Sequence, residues 1–204
     1  MSDVIVADDP SVGQILPDSA FGKVLTQLAG QCRYILEIGT WKGQGSTVCL
    51  YNGLPPTACL VTLEADEGAW REASKFWRAK KDPRVCCIYG RVVESRDMKP
   101  FTSPHPGGAT LDDWRYDMNN AHHAPMVMGL IPNGIDLLLL DGGEWSSEAE
   151  LERLRDRCKF IALDDTNPKF STKNWACRVD LLKRGWTAFH DELSQRHGWA
   201  VFRR

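Results

Sequence analysis

YILEIGTWKGQGSTVCL, residues 34–50, is the stretch that decides the fold of this chain. It opens with an apolar run that carries one acid, Glu37, and then breaks into a loop with three glycines, Gly39, Gly43 and Gly45. After the loop the pattern becomes helical. This order predicts a buried strand, a tight glycine turn and the start of a helix. Such a turn lets a ligand approach the backbone and the N–H groups of the helix N-terminus.

The acid in this stretch indicates which ligand the turn accepts. A phosphate group prefers positive potential, so Glu37 would repel a pyrophosphate but welcome a cationic or hydroxyl-rich ligand. A second acid, Glu64, ends the next apolar run, residues 60–63. In a doubly wound sheet the strand ends lie side by side at the carboxyl edge, where ligands bind. We therefore expect Glu64 to accept the two hydroxyl groups of a ribose.

A nicotinamide-binding Rossmann unit is the alternative for the same pattern, because it also has a glycine turn and an acid after the second strand. Its usual glycine spacing is G-x-G-x-x-G. Here the G-x-G is Gly43-Gln44-Gly45, and Val48 stands where the third glycine would be. The spacing favours a different cofactor.

The composition is that of one globular domain, 1–204, and we expect it to be cytoplasmic. The 204 residues have a formal net charge of −2, which does not favour nucleic acid or an anionic membrane as a partner. Seven cysteines without a C-x-x-C pair indicate free thiols in a reducing compartment rather than disulfides or a zinc site. The first residues lack the pattern of a signal peptide, and no apolar run is long enough to span a bilayer. Residues 1–17 are predicted to form a polar N-terminal arm.

Apolar runs alternate with helical patterns along the chain, which predicts an α/β fold: a doubly wound, Rossmann-like sheet with helices on both faces. Strands are predicted at residues 34–38, 59–64, 85–89, 135–140, 160–163, 186–190 and 199–202. Helices are predicted at residues 19–29, 45–53, 67–80, 146–158 and 174–184. The last two of the seven strands are predicted to be an antiparallel pair.

Residues 95–134 depart from this alternation and are rich in proline, glycine and aromatic residues. A long polar segment inside a compact domain is usually functional or mobile. The segment is predicted to lie between the third and fourth strands, beside the ligand site. Two interpretations stay open: a substrate lid, or a partly helical insertion for packing or dimer contacts.

Three acids follow neighbouring strands: Asp141 after the fourth, and Asp164 and Asp165 after the fifth. If these strands are neighbours in the sheet, the three carboxylates lie within reach of one hard cation. Oxygen ligands of this kind suit magnesium, calcium or manganese. The alternative is that one of the pair, more readily Asp165, only begins the turn Asp-Thr-Asn-Pro.

Together these residues resemble the class I S-adenosylmethionine-dependent methyltransferases over roughly residues 18–204. The closest pattern is that of the metal-dependent small-molecule O-methyltransferases of the catechol and macrolide-sugar type, with Leu140-Asp141 and Leu163-Asp164-Asp165 at matching places. The resemblance implies a divalent cation, Mg2+ or similar, at Asp141, Asp164 and Asp165. It implies that S-adenosylmethionine is bound by Glu37, Gly39, Thr40, Gly43, Ser46, Glu64, Ala65, Gly90, Arg91, Val92, Asp141 and Trp145.

The sequence departs from the catechol-type enzymes at the general base. Those enzymes place a lysine three residues after the acid of the fourth strand, where this chain has Glu144. Glu144, His122 and His123 are the candidates for the base, with Asp141 as the fourth predicted catalytic residue. A histidine suits a base at neutral pH.

The sequence therefore predicts a methyltransferase that transfers a methyl group to the oxygen of a small hydroxylated molecule with help from a divalent cation. Nitrogen methylation and metal-free transfer remain open within the same fold, and a homo-oligomer is possible. The competing hypothesis is a cofactor-binding scaffold or regulatory subunit that has lost its chemistry.

Overall fold

The computed structural model of the chain describes residues 13–171 and 173–204, so most of the predicted N-terminal arm lies outside the described residues. The strands are β1 (Tyr34–Ile38), β2 (Cys59–Glu64), β3 (Val85–Tyr89), β4 (Ile135–Leu140), β5 (Cys158–Asp164), β6 (Thr187–Glu192) and β7 (Trp199–Arg203). The helices are α1 (Ala20–Ala29), α2 (Ser46–Gly53), α3 (Glu67–Lys80), α4 (Leu111–His123), α5 (Ser147–Leu154) and α6 (Trp175–Lys183). None of the helices in these ranges is long and apolar enough to cross a membrane.

The strands form one sheet in the order β3-β2-β1-β4-β5-β7-β6. Strands β1 to β5 pair in parallel, and β7 runs antiparallel to both of its neighbours, β5 and β6. The predicted doubly wound sheet with a terminal antiparallel pair is confirmed. Because the order reverses between β1 and β4, their carboxyl ends flank the crevice in which such sheets bind ligands.

The core lies on both faces of β4, as its continuous apolar run predicts. Leu137 and Leu139 belong to one buried cluster with α1 and α2, whereas Leu138 and Leu140 belong to another with α5 and α6. All four leucines are fully buried. Each such burial contributes about 1.5–3 kcal/mol relative to an exposed side chain, so β4 anchors the sheet.

Local capping sets several helix ends. Ser19 accepts a hydrogen bond from the N–H of Gly22 at the start of α1, and Asp66 does the same from Ala69 at the start of α3. The helix predicted at 146–158 is shorter than expected: α5 ends at Leu154 and a 3₁₀ turn, Arg155–Arg157, leads into β5. Ser146 stands at the N-cap position, but its side chain makes no capping hydrogen bond.

The segment 95–134 is partly helical. It contains α4 and three short 3₁₀ turns, Ser95–Asp97, Pro106–Gly108 and Met128–Leu130. A capping box holds the start of α4, because Thr110 and Asp113 each accept a hydrogen bond from the other's backbone N–H. This helix is placed over the carboxyl edge of the sheet, where it meets the site described next.

Candidate functional site

A cavity of about 520 Å³ opens at the carboxyl ends of β1, β2, β4 and β5, a size that suits a cofactor or small ligand. Eight of the residues predicted to bind the cofactor line it: Gly39, Thr40, Ser46, Glu64, Ala65, Gly90, Arg91 and Asp141. The residues that the resemblance implies for the cofactor thus lie at one edge of the sheet and form part of the cavity wall.

The glycine turn brings backbone against backbone at the floor of the cavity. Gly39 has a φ of +95°, and a Cβ at this position would stand 2.3 Å from the carbonyl oxygen of Asp141. Its N–H donates to the carbonyl of Leu63. Both the positive φ and the close approach to the end of β4 require glycine here.

Glu37, which the resemblance implies as a cofactor-binding residue, does not line the cavity; it lies beneath the turn and is fully buried. Its carboxylate accepts hydrogen bonds from Ser46 (2.5 Å), Thr47 (2.7 Å) and Thr62 (2.6 Å). Burial raises the pKa of Glu37, and the three hydroxyl groups oppose that shift. The acid therefore acts on the site through Ser46 and Thr47, the first two residues of α2.

Glu64 is placed as the sequence predicts, at the end of β2 and in the cavity wall. One carboxylate oxygen accepts from the N–H of Trp41 at 2.6 Å, and the other from the N–H of Asp66 at 2.9 Å. Burial raises the pKa of Glu64 to about 7, while these two N–H groups favour its charged form. The carboxylate is thus fixed by the backbone and presents lone pairs to the cavity.

Three further residues predicted to bind the cofactor lie outside the cavity lining. The carbonyl oxygen of Gly43 instead accepts a hydrogen bond from the indole of Trp77. Val92 is buried in the core, and its neighbour Val93 lines the cavity. Trp145 is 4% exposed and packs in a small cluster with Met98 and Ala121, so its place is structural.

Helix α4 supplies one wall of the cavity through Tyr116, Asp117, Asn120 and Ala121. The Tyr116 hydroxyl donates to the carboxylate of Asp66, which links α4 to the start of α3 across the cavity. Asp117 accepts from the N–H of Glu144 at 3.1 Å, and burial raises its pKa to about 6. The predicted insertion is thus part of the site, while its role as a moving lid stays a prediction.

The structure brings together the three acids at the ends of β4 and β5. One carboxylate oxygen from each of Asp141, Asp164 and Asp165 lies within 4.8 Å of the others. Asp164 is 1% exposed, whereas Asp165 directly follows β5 with a φ of +52°. The turn lies further along the chain, at residues 168–170, so Asp165 does not begin it. Burial and the two neighbouring acids raise the pKa of Asp164 to about 7.

Two cationic side chains already form ion pairs with these acids. The Lys173 ammonium lies 2.9 Å from Oδ1 of Asp141 and 3.4 Å from Oδ2 of Asp165, and the Arg196 guanidinium donates to Oδ1 of Asp164. The lysine side chain is 8% exposed. Burial favours its neutral form, but the three carboxylates outweigh this and raise the pKa of Lys173, so it remains an ammonium.

A divalent cation does not fit this arrangement. Calcium or magnesium would need the carboxylate oxygens at about 2.0–2.6 Å, in the space that the Lys173 ammonium shares with Asp141 and Asp165. Two like charges at this separation repel strongly in a buried site. The acid cluster that the sequence predicts is therefore present, but the positive charge inside it belongs to the chain.

Asn174 holds the strand ends that carry these acids. Its side-chain amide donates to the carbonyl of Leu140 at 3.0 Å and to the carbonyl of Asp164 at 2.7 Å, and the residue is fully buried. One side chain thus ties the last residues of β4 and β5 together, directly after Lys173. The acids and the lysine are fixed by one local framework.

The three candidates for the general base lie outside the cavity lining. Glu144 accepts from the hydroxyl of Ser171 at 2.9 Å and lies 3.6 Å from His105. His122 and His123 are exposed at the end of α4, with their rings against each other. The structure does not bring any of the three to the acid cluster.

Sequence reasoning missed four charged residues at the site: Lys173, Arg196, Asp117 and Glu150. Glu150 lies on α5, lines the cavity and is 5% exposed; burial raises its pKa to about 7. Its Oε2 makes no hydrogen bond within the described part of the chain. The available signal for Glu150 was the acidic first turn of a predicted helix. Lys173 lies in a loop and belongs to no sequence motif.

The fold of this chain is similar to that of solved methyltransferase structures. An O-methyltransferase from Bacillus cereus in complex with SAH has a TM-score of 0.57 and 19% identity, with 92% of this chain and 82% of that chain covered. A methyltransferase from Geobacter sulfurreducens has a TM-score of 0.61 and 12% identity, covering 93% and 80%. The SAH-bound methyltransferase PaMTH1 from Podospora anserina has a TM-score of 0.58 and 15% identity, covering 90% and 77%.

At these identities the likeness shows the fold: the chain has the seven-stranded fold of S-adenosylmethionine-dependent methyltransferases, as the sequence predicted. No protein-family model matches the sequence, and no curated protein matches it. What the site does must therefore be argued from its own residues.

Proposed function

We propose that this protein is an S-adenosylmethionine-dependent methyltransferase that acts on the oxygen of a small hydroxylated molecule. The observation that carries the proposal is that one cavity is lined by the glycine turn, by Glu64 and by part of the charged cluster, namely Asp141, Asp165 and Lys173. A cofactor held by Gly39 and Glu64 would extend toward the cluster at the ends of β4 and β5. The known methyltransferases of the same fold, two of them with SAH bound, support this assignment.

Each part of the cavity has a task in this proposal. The fixed carboxylate of Glu64 accepts the ribose hydroxyl groups, and the N-terminus of α2 at Ser46 faces the methionine part. S-adenosylmethionine supplies a sulfonium methyl group, whose carbon–sulfur bond breaks with its electron pair on sulfur as the substrate oxygen takes the carbon. The hydroxyl proton passes to a carboxylate of the wall, for which Asp141 is our candidate. Alignment of this kind can contribute roughly 7–11 kcal/mol in favourable cases.

The metal-assisted form of the proposal has support in the proximity of the three acids. It requires that a divalent cation displace Lys173 from between Asp141 and Asp165, so the contacts of Lys173 oppose it. No step of the mechanism above depends on such a cation.

The expected substrate class and cellular location belong to the same proposal. The substrate is a small molecule rather than a nucleic acid, in keeping with a cavity of about 520 Å³ and a net charge of −2. A cytoplasmic location is in keeping with the seven cysteines, all of which are free thiols.

The proposal is tested by titration calorimetry with S-adenosylmethionine and with S-adenosylhomocysteine. We expect micromolar binding to the native chain and a loss of at least about tenfold in Glu64→Gln, because the amide accepts fewer hydrogen bonds from a ribose. Glu152→Gln, an exposed residue on α5, is the matched control and keeps full affinity. No binding to the native chain would refute the proposal.

Turnover separates an enzyme from a scaffold. The native chain is incubated with methyl-labelled S-adenosylmethionine and a panel of phenols, catechols and hydroxylated sugars, and label in the acceptor is counted. Cofactor binding without transfer to any acceptor would favour the competing hypothesis of a regulatory subunit.

A further inference from the structure

We propose that the ammonium of Lys173 is the built-in cation of this site, that it excludes a divalent metal ion, and that it holds the substrate oxygen. The inference rests on the proposed function for its substrate and on the acid cluster for its geometry. It assigns the positive charge of the reaction site to a side chain of this chain.

The backbone of the Lys173 loop is fixed by its neighbours on both sides. The N–H of Lys173 donates to the hydroxyl of Ser171 at 3.0 Å, and Asn174 is tied to the ends of β4 and β5. The side chain can therefore reach only a small region, which the acid cluster occupies. Its exposure of 8% shows that it is built into the wall rather than extended into solvent.

Charge counting favours the lysine over a metal ion. Asp141, Asp164 and Asp165 bring three negative charges, and Lys173 and Arg196 return two positive charges. A further divalent ion would leave an excess of positive charge beside the buried ammonium of Lys173. Each of the three acids already has a cationic partner, and a buried carboxylate is stable only when it is paired or neutralised.

The ammonium can also serve the substrate. Lys173 lines the cavity beside Asp141 and Asp165, and an ammonium has three N–H donors. The two contacts to these acids use two of them, which leaves one for an oxygen in the cavity. Because its ammonium is paired with the carboxylates of Asp141 and Asp165, the residue acts as a charged donor and not as the general base.

The inference narrows the substrate class. A metal ion of the catechol type binds two adjacent oxygens, whereas one N–H binds one oxygen. The site is thus suited to a molecule with a single hydroxyl group at the reaction site, and a vicinal diol is not required. A monophenol and the corresponding catechol should be methylated at comparable rates.

The test uses Mn2+ alone, with the free ion followed by electron paramagnetic resonance. The native chain should bind Mn2+ no more tightly than about 1 mM, the weak end for sites of oxygen ligands. In Lys173→Met, which keeps the volume but removes the charge, we expect binding to strengthen by about a hundredfold, because a repelling charge has left the acids. Lys169→Met, an exposed lysine of the same loop, is the matched control and should behave as the native chain.

Two results would overturn the proposal. One is micromolar Mn2+ binding by the native chain that is lost in Asp164→Asn. The other is a folded Lys173→Met that binds Mn2+ no better than the native chain, since the acids then form no cation site. Circular dichroism establishes folding; where Lys173→Met does not fold, Lys173→Thr takes its place, and if neither folds the native chain alone decides.

The proposed function is tested by a different measurement from the one that tests the role of Lys173. Binding of S-adenosylmethionine depends on Glu64 and is measured without Mn2+. If the native chain binds neither S-adenosylmethionine nor Mn2+, the proposed methyltransferase function is refuted. Mn2+ binding by Lys173→Met then decides whether Lys173 occupies the cation site. Where methyl transfer is observed, a chelator such as EDTA should leave its rate unchanged.

Discussion

The hydroxyl of Ser46 lies 2.5 Å from Oε1 of Glu37, so the first residue of α2 is bonded to an acid buried in β1. This bond explains why an acid precedes the glycine turn although it does not face the cavity. The acid fixes the helix N-terminus from below, and Ser46 lines the cavity above it.

Glu37→Gln should lower the free energy of unfolding by about 1–3 kcal/mol and weaken S-adenosylmethionine binding. The amide keeps one acceptor oxygen and brings an NH₂ group against the hydroxyl groups of Thr47 and Thr62. Urea unfolding followed by circular dichroism measures the first effect, and calorimetry the second. Glu72→Gln, which removes a largely exposed acid, should change neither.

Cofactor affinity should rise with pH and level off above about 7. The pKa of Glu64 is about 7, and only its charged form accepts two ribose hydroxyl groups fully. Below this pH, binding must release a proton, so the affinity falls by at most tenfold per pH unit. Asp117 and Glu150 also line the cavity and have raised pKa values, so they could contribute to the pH dependence of binding. The pH dependence of the native chain is therefore compared with that of Glu64→Gln. An equal pH dependence in that variant would exclude Glu64 as the cause.

Glu150 should make the fold less stable as the pH rises. Its pKa is about 7 in the folded chain and near 4.5 when unfolded. Between pH 4.5 and pH 7 the folded state therefore holds a proton that the unfolded state has lost. Stability is therefore full below about pH 4.5 and falls by about 3 kcal/mol as the pH passes 7. Glu150→Gln removes this loss. The difference in unfolding free energy between variant and native chain, measured at pH 5 and pH 8, should grow in favour of the variant.

Arg196→Met should destabilise the fold by about 3 kcal/mol at pH 8, because it leaves the buried carboxylate of Asp164 without its partner. At pH 5 the loss should be smaller, since the pKa of Asp164 is about 7 and the acid is then protonated. Arg184→Met breaks an exposed pair with Asp180 and should change stability by less than about 1 kcal/mol. Equal effects of both substitutions in thermal or urea unfolding would contradict the buried pair.

Tyr116→Phe should loosen α4 while leaving the sheet intact. The variant loses the hydroxyl that links α4 to Asp66. Amide hydrogen exchange should become faster in α4 and stay unchanged in β1 and β4, because local opening reports local contacts. Tyr89→Phe keeps its ring against Trp70 and serves as the control. Faster exchange throughout the chain would point to global destabilisation instead.

The fold could be predicted because its signals are local. The apolar run of β4, the glycine turn and the acid that ends β2 each lie within a few residues. The alternation of strands and helices and the resemblance to methyltransferases then indicated how the strands are arranged in the sheet. The meeting of Asp141, Asp164 and Asp165 also followed, because neighbouring strands end at one edge.

The partners of these acids could not be predicted in the same way. Lys173 and Arg196 come from two different loops, and neither stands at a fixed spacing from the acid that it neutralises. Similarly, whether Val92 or Val93 faces the cavity depends on the local path of the chain after β3. Trp145 has the ring for stacking on a purine, but its direction is decided by packing against Met98.

Helix α4 reaches the cavity from a segment inserted between two strands, whereas Gly39 and Glu64 belong to the sheet and its first turns. Apart from Tyr116, which is bonded to Asp66 on the opposite wall, changes along α4 can therefore remodel one wall while the sheet stays in place. Under the proposed function, substitutions on this helix would change the choice of acceptor molecule while the sheet keeps the cofactor side, which makes the segment a natural place to graft new selectivity onto the same scaffold.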